Sequence, residues 1–220
     1  MLPILKPHDL VEIIAPASRC SEKVLQDLKN LLESWSLNCL ISEALFGDDI
    51  LCANSDAKRL ASLKNALTHP ESKAIICVRG GYGSMRLIPG LYDLKPPKEP
   101  KIFLGMSDIT ALHLFLENHW NWPSVHGALA RDKFSEESIL ATQSLLFGKP
   151  SRALMGKPLN QFAEKEYKVE STITGGNLTL VQSSLGTKWQ INGQNKVVFL
   201  EEVGERGYRI DRMLEHLKQA

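Results

Sequence analysis

The 220-residue sequence predicts an α/β fold, with a largely parallel sheet flanked by helices. Short apolar runs rich in β-branched residues alternate with amphipathic stretches, which is the pattern of βα units. The runs at 74–78 and 196–200 are apolar at nearly every position, as expected for strands that are covered on both faces. Turns containing glycine or serine follow the apolar runs directly at 79–84 and 105–107. Together these observations favour a parallel sheet over a sandwich or a helical bundle.

The predicted strands are short apolar runs that end at a proline, a glycine or a charged residue. In chain order they cover residues 10–15, 37–45, 74–78, 101–105, 125–128 and 196–200. Pro16 ends the first strand, Gly105 ends the fourth, and Glu201 follows the last. The stretch 125–128 is equally compatible with a loop.

The predicted helices are amphipathic stretches, several of which follow a serine that can cap them. In chain order they cover residues 24–32, 60–67, 109–116, 135–146, 178–185 and 208–217. Ser18 or Ser21 is the expected cap of the first helix and Ser55 that of the second, which Pro70 ends. Residues 174–177, Thr-Gly-Gly-Asn, are interpreted as a turn that opens the fifth helix.

Three distinctive features come directly after predicted buried strands. Arg79-Gly80-Gly81 follows one strand, Ser107 follows the next, and Glu201 follows the last. Ligands of parallel α/β sheets bind outside the carboxyl ends of the strands. We therefore expect a glycine turn, a serine and a carboxylate to converge at one edge of the sheet.

Ser107 is a candidate nucleophile because its turn joins a strand to a helix. A serine in such a turn projects from the strand end, beside the unpaired N–H groups of the helix start. The alternative is that Ser107 and Asp108 only cap the helix, which is the common use of such a pair. Ile109 also replaces the second glycine of the Gly-x-Ser-x-Gly pattern of hydrolases.

A serine nucleophile needs a general base, usually a histidine that a carboxylate orients. Among the six histidines, His126 is the plausible local candidate, and its alternative is a structural histidine in a loop. His113 lies six positions after Ser107 on the same predicted helix and is expected to point away from it.

Composition argues against several other classes of protein. A net charge of +1 gives no electrostatic reason to expect a nucleic acid or a membrane as partner. The four cysteines form no Cys-x-x-Cys pair, and neither His-x-x-x-His nor a carboxylate cluster occurs, so we expect no metal and no cofactor. No signal peptide or membrane-spanning run is recognisable, so a cytoplasmic protein is expected.

The sequence resembles the L,D-carboxypeptidase family of serine peptidases, which includes the microcin-immunity peptidases. The resemblance extends over nearly the whole chain and rests on motifs in the family's order. These are Val78-Arg-Gly-Gly-Tyr-Gly83, Gly105-Met-Ser-Asp-Ile-Thr-Ala111, Gly175-Gly-Asn-Leu178, Phe199-Leu-Glu-Glu-Val203 and Tyr208-Arg-Ile-Asp-Arg-Met-Leu214.

The resemblance implies a Ser-Glu-His triad with Ser107 as nucleophile and Glu201 orienting the histidine. It implies an oxyanion hole formed by the backbone N–H of Asp108 and that of Gly80 or Gly81. It also implies that Asn177 contacts the substrate. The implied reaction is cytoplasmic cleavage between an L-centre and a terminal D-alanine in murein tetrapeptides. The implied partner is therefore a small muropeptide.

The resemblance also implies an N-terminal α/β domain, placed at 1–150, and a second part at 151–220. The latter is expected to hold a linker over 148–168 and the start of a C-terminal domain that is mostly missing. No histidine here matches the family's catalytic one, so this chain is expected to be inactive or nearly so. Apolar residues on the last helix favour a homodimer. The alternatives are a microcin-immunity-type amide hydrolase and a non-catalytic peptide-binding module.

Overall fold

The computed structural model describes residues 3–129, 134–149, 156–165 and 168–220. Within them, five parallel strands form a sheet in the order β2-β1-β3-β4-β5. The strands are β1 (Leu10–Ile14), β2 (Asn38–Ile41), β3 (Ser72–Cys77), β4 (Ile102–Gly105) and β5 (Val125–His126). Every pairing between neighbours in this sheet is parallel, which confirms the predicted fold class.

Six α-helices are described, and serine side chains cap three of them. They are α1 (Glu22–Ser34), α2 (Asp56–Thr68), α3 (Thr110–Trp120), α4 (Glu136–Leu146), α5 (Leu178–Ser184) and α6 (Gly207–Gln219). Ser21, Ser55 and Ser135 each accept a hydrogen bond from a backbone N–H in the first turn of α1, α2 and α4, respectively. Short 3₁₀ helices cover Glu43–Leu45, Ser84–Leu91 and Ser107–Ile109.

The sheet separates two apolar cores because successive strand residues face opposite sides. On β3, Ile76 packs into one core with α1 and α4, while Ile75 packs into the other with α2 and α3. Leu104 and Phe103 divide in the same way on β4. Helices on both faces hold the carboxyl ends of β3 and β4 in fixed positions.

The predicted turn over residues 174–177 is wrong, because these residues belong to β6 (Ile173–Asn177). β6 pairs in parallel with β7 (Val197–Glu201) in a separate two-stranded sheet. Gly175 and Gly176 have φ values of +123° and +138°, and a Cβ on Gly175 would collide with the carbonyl oxygen of Phe199. The glycines therefore allow a strand that lies very close to its neighbour, not a turn.

The prediction of a buried strand at 196–200 is also wrong in one respect. The strand exists, but Val197, Val198 and Phe199 are 47%, 44% and 43% exposed. β7 pairs only with β6 in the described residues and is not part of the five-stranded sheet. The apolar pattern predicted coverage on both faces, and the described residues do not supply that coverage.

Several boundaries differ from those predicted. The strand expected over 37–45 ends at Ile41, because Ser42 caps a 3₁₀ turn. Ser18 does not cap α1 but hydrogen bonds to the loop that contains Leu51. The expected surface excursion at 148–168 lies partly outside the described residues.

Among the helices that the structure describes, none combines the length and apolar content needed to cross a bilayer.

Candidate active site

Ser107 sits in a strained turn at the carboxyl end of β4. Its φ is +59°, a left-handed value that is uncommon for any residue other than glycine. Gly105, two residues earlier, has no room for a side chain, since a Cβ there would lie 2.6 Å from Cγ2 of Ile109. The turn therefore holds the Ser107 side chain half-buried at the end of the strand.

Neither Ser107 nor Asp108 acts as a simple helix cap. The Ser107 hydroxyl forms no hydrogen bond with any residue of the described ranges, and the start of α3 has no side-chain cap. Asp108 is buried, and its Oδ2 accepts a hydrogen bond of 2.8 Å from the backbone N–H of Ser84. The Ser84 hydroxyl donates to the Asp108 carbonyl at 2.5 Å. The capping alternative is therefore wrong.

Gly80 lies directly against Ser107. A Cβ on Gly80 would be 2.9 Å from both the Met106 carbonyl oxygen and the Ser107 Cβ, and 3.3 Å from the Ser107 Oγ. Gly81 follows with a φ of +111°, packed against the Ser18 side chain. The structure thus brings the glycine turn after β3 into contact with the serine after β4.

Hydrogen bonds hold this turn on several sides. The Gly80 carbonyl accepts from the Ser18 N–H at 3.2 Å, and the Tyr82 N–H donates to the Ser18 Oγ at 3.2 Å. Within the described part of the chain, the N–H groups of Gly80 and Gly81 have no acceptor. Backbone donors without a partner beside a serine are what an oxyanion hole requires.

Glu201 reaches the site by a route that the sequence did not predict. It is the last residue of β7, outside the five-stranded sheet, and its Oε1 lies 3.5 Å from the Nε2 of His126 on β5. His126 is the strand partner of Gly105, two residues before Ser107. The serine, His126 and Glu201 are therefore held by three adjacent segments.

The two-stranded sheet docks through Thr110, in the first turn of α3. The Asn177 N–H donates to the Thr110 Oγ1 at 2.9 Å. Gly176 permits this approach, because a Cβ there would lie 2.5 Å from the Thr110 Oγ1 and 3.1 Å from the His126 Nδ1. This close contact is the physical reason for the second glycine of the Gly175-Gly-Asn-Leu178 motif.

Burial shifts the proton affinities of His126 and Glu201 in opposite directions. Burial lowers the pKa of His126 below its ordinary value, so the imidazole is neutral near pH 7. Burial raises the pKa of Glu201; the Asn177 amide opposes this shift and the Glu202 charge adds to it. Within the described residues, the buried Nδ1 of His126 has no hydrogen-bond partner.

Asn177 is buried, and both polar atoms of its side chain are engaged within the protein. Its Oδ1 accepts from the Leu180 N–H and caps α5, while its Nδ2 donates to the Glu202 Oε1 at 3.2 Å. Glu202 also accepts from the Thr179 hydroxyl at 2.6 Å. In this structure Asn177 therefore links the start of α5 to Glu202, the residue after β7.

His113 has a structural environment. It is buried, with Nε2 2.9 Å from the Gly105 carbonyl oxygen and Nδ1 2.8 Å from the Ser124 Oγ. Burial lowers the pKa of His113 to about 4; the Gly105 carbonyl opposes this shift and His126 adds to it. Both ring nitrogens of His113 are therefore engaged, one by the end of β4 and the other by Ser124.

The sequence analysis missed Ser84, Thr110 and Arg59. Each acts through a contact between segments that are distant in sequence, and none belongs to a recognisable spacing pattern. Ser84 ends the glycine-rich turn at 79–84 and Thr110 lies inside the Gly105–Ala111 motif, but the sequence does not indicate the contacts that either residue makes.

Comparison with known families identifies both parts of the chain. Residues 11–127 match the LD-carboxypeptidase N-terminal domain, and residues 170–220 match the LD-carboxypeptidase C-terminal domain. A putative carboxypeptidase of Rickettsia conorii is 41% identical over 218 residues, which cover 96% of this chain and 68% of that protein. A probable murein peptide carboxypeptidase of Bacillus subtilis is 33% identical over 97% of this chain and 68% of its own length.

A solved structure is similar in both fold and sequence. The muramoyltetrapeptide carboxypeptidase from Oxalobacter formigenes superimposes with a TM-score of 0.80 at 27% identity. The match covers 96% of this chain and 71% of that one.

Proposed function

Since the chain belongs to the LD-carboxypeptidase family, we propose that it is a serine-type peptidase that removes terminal D-alanine from murein tetrapeptides. The observation that carries the proposal is the contact between Gly80 and Ser107, which places unpaired backbone N–H groups beside a serine in a strained turn. The names of the Bacillus subtilis and Oxalobacter formigenes proteins support the choice of a murein peptide as substrate.

The proposed reaction begins with attack by the Ser107 Oγ on the carbonyl carbon of the scissile bond. A histidine takes the hydroxyl proton and returns it to the leaving amine, so that D-alanine departs and an acyl-enzyme remains. The negative oxygen of the tetrahedral intermediate would accept hydrogen bonds from the N–H of Asp108 and of Gly80 or Gly81. Water then hydrolyses the ester by the same route and regenerates the serine.

Glu201 is proposed to orient the histidine. The family resemblance implies a histidine that no residue of this sequence matches, whereas Glu201 contacts His126 in the structure. A lowered pKa keeps His126 neutral near pH 7, which is the protonation state that a general base needs. The base is therefore either His126 or a histidine that comes from outside these 220 residues.

The test compares the chain with its Ser107→Ala variant and with Ser138→Ala, a control at an exposed position of α4. Two signals are followed: covalent labelling by a fluorophosphonate, and release of D-alanine from a murein tetrapeptide. We expect Ser107→Ala to lose both signals and Ser138→Ala to keep both at the level of the unaltered chain, whose D-alanine release we expect to be slow without the family's histidine. Labelling that persists in Ser107→Ala would exclude Ser107 as the nucleophile.

The same assay separates the alternatives. Tetrapeptide binding without D-alanine release would support a peptide-binding module, and cleavage of an aminoacyl-nucleotide amide alone would support an immunity-type hydrolase. Labelling that persists in His126→Ala would exclude His126 as the base.

Three further properties belong to the proposal. The substrate is a small peptide and not a nucleic acid or a membrane surface, the protein works in the cytoplasm, and it forms a homodimer. The net charge of +1 supports the first of these, and exposed apolar side chains on α6, such as Leu214, support the last.

A further inference from the structure

Arg59, on α2, is buried beneath the candidate active site. Its side chain is fully enclosed, and its guanidinium contacts three backbone carbonyls. Nε donates to the Asn54 oxygen at 2.9 Å, and one terminal nitrogen donates to the Gly83 oxygen at 3.0 Å and to the Pro16 oxygen. The other terminal nitrogen pairs with the Asp56 carboxylate at 2.6 Å.

The carbonyls that Arg59 contacts lie on different segments. Pro16 follows β1, Gly83 is the last glycine of the turn after β3, and Asn54 precedes the serine that caps α2. Gly83 has a φ of +108°, and a Cβ there would lie 2.5 Å from the Cys52 Sγ and 3.2 Å from a guanidinium nitrogen. A glycine is therefore required for the turn to lie this close to Arg59.

The peptide bond between Gly83 and Ser84 is held from both sides. Its carbonyl oxygen accepts from Arg59, and its N–H donates to the carboxylate of Asp108, the residue after the candidate nucleophile. Arg59 and Asp108 thus fix one end of the turn that carries the unpaired N–H groups of Gly80 and Gly81. Ser18 fixes the same turn at Gly80 and Tyr82.

We propose that Arg59 is a positioning residue that holds the glycine turn in register with Ser107, so that the donors of the oxyanion hole stand at a fixed distance from the reacting carbon. The proposal rests on the function proposed above. The proposed donors are the N–H of Asp108, after β4, and the N–H of Gly80 or Gly81, after β3. A displacement of about 1 Å between two such segments costs roughly a hundredfold in rate.

The chemistry of the side chain explains why an arginine occupies this position. A planar guanidinium donates in several fixed directions at once, whereas a lysine ammonium is a single point on a flexible stem. The buried charge is balanced by Asp56, whose other oxygen pairs with the exposed Arg86 at 2.8 Å. Removing Arg59 therefore leaves Asp56 with a partner, whereas the three backbone carbonyls that the guanidinium contacts each lose a donor.

The test uses Arg59→Met, which removes the donors, and Arg59→Lys, which keeps the charge. Arg86→Met is the matched control, because it removes the other partner of Asp56 and keeps the hydrogen bond from its own backbone N–H to the Gly83 oxygen. Backbone hydrogen exchange over residues 79–84 measures the order of the turn directly. Steady-state kinetics of D-alanine release measures kcat and KM separately.

For Arg59→Met we expect at least tenfold faster exchange over 79–84 with unchanged exchange in β1 and β3, and a kcat reduced about a hundredfold with KM within about threefold. Arg59→Lys should also speed exchange over 79–84 and lower kcat, each to a smaller extent. Arg86→Met should change neither the exchange over 79–84 nor kcat. If Arg59→Met does not fold, Arg59→Lys decides by the same two measurements.

Unchanged exchange over 79–84 in the Arg59 variants would overturn the proposal whatever the activity. So would a loss of kcat that is matched by a uniform loss of protection across the whole chain, since that result indicates general destabilisation. If the unaltered chain releases no D-alanine, the proposed function fails, and the exchange measurement still decides whether Arg59 orders the turn.

Discussion

The Nε2 of His126 lies 3.5 Å from the Oε1 of Glu201, although the two residues belong to different sheets. His126 ends β5, an edge strand of the five-stranded sheet, and Glu201 ends a strand of the two-stranded one. Burial disfavours the charged form of each group, lowering one pKa and raising the other. The imidazole of His126 is therefore neutral near pH 7, as a general base must be, and Glu201 is the carboxyl group that we propose to orient it.

Replacement of Glu201 tests this arrangement. Glu201→Gln keeps the size of the side chain but loses the negative charge that holds a histidine in the correct tautomer. We expect kcat for D-alanine release to fall by roughly 10²- to 10⁴-fold with little change in KM. Glu215→Gln, at an exposed position of α6, is the control. Full activity in Glu201→Gln would remove Glu201 from the catalytic machinery.

Gly80→Ala tests the contact between the glycine turn and the nucleophile. The new Cβ would lie 2.9 Å from the Met106 oxygen and from the Ser107 Cβ, so the turn must move away from the serine. We expect a loss of about 10²-fold in the rate of fluorophosphonate labelling, similar to the loss of one oxyanion donor. Gly127→Ala is the matched control, because its Cβ would meet nothing closer than 3.9 Å. Equal labelling of both variants would contradict the proposed oxyanion hole.

The buried His113 makes stability depend on pH. Its pKa is about 4 in the folded protein against an ordinary value of 6.5, so between these values the unfolded chain binds more protons. Stability therefore falls as the pH drops from about 6.5 to about 4, by about 3 kcal/mol from this group. His113→Gln should flatten that part of the curve, as measured by urea unfolding at successive pH values.

His119→Gln is the control for this measurement, since His119 lies on the same helix with an exposed side chain. Replacing this second histidine shows whether the flatter curve comes from the buried position of His113 or from the loss of a histidine from the helix. An undiminished slope in His113→Gln would show that other groups cause the acid sensitivity.

Lys101 supports the opposite end of the sheet. Its Nζ donates to the Ala66 oxygen, the His69 oxygen and the Ser72 Oγ, each at 2.6 Å, and lies 4.0 Å from the buried Glu12. Lys101→Met should reduce the free energy of unfolding by about 3 kcal/mol, because it leaves a buried carboxylate unpaired.

Adding Glu12→Gln to Lys101→Met should recover about 1 kcal/mol, since the uncompensated charge is then removed. Lys73→Met, at an exposed position of β3, should change stability by less than about 0.5 kcal/mol. A double variant less stable than Lys101→Met would indicate that Glu12 does not carry the penalty.

The proposed homodimer is tested on α6. Leu214 is 43% exposed, and Ile210, Met213 and Leu217 are half-buried nearby. We expect sedimentation to show a dimer that Leu214→Glu weakens by at least tenfold in Kd, because a charge would enter an apolar interface. Gln219→Glu makes a similar charge change at the end of the same helix and should leave the dimer intact. A monomer at all concentrations would exclude the proposal.

The sequence by itself determined the fold class, most strand and helix positions, and the turn that carries Ser107. These features depend on local signals: apolar periodicity, serine caps at Ser21 and Ser55, and the glycine that ends β4. Each is encoded within a few neighbouring residues, so it can be recognised without knowing what packs against it.

Only the tertiary structure decided how the site is assembled. Gly175 and Gly176 belong to a strand because Phe199 and Thr110 approach them, and β7 is half-exposed because it pairs outside the main sheet. The contacts of His126 with Glu201, and of Arg59 with Gly83, join segments separated by tens of residues. Such contacts arise from the packing of whole elements, and no local pattern of residue types encodes which distant group will fill a given space.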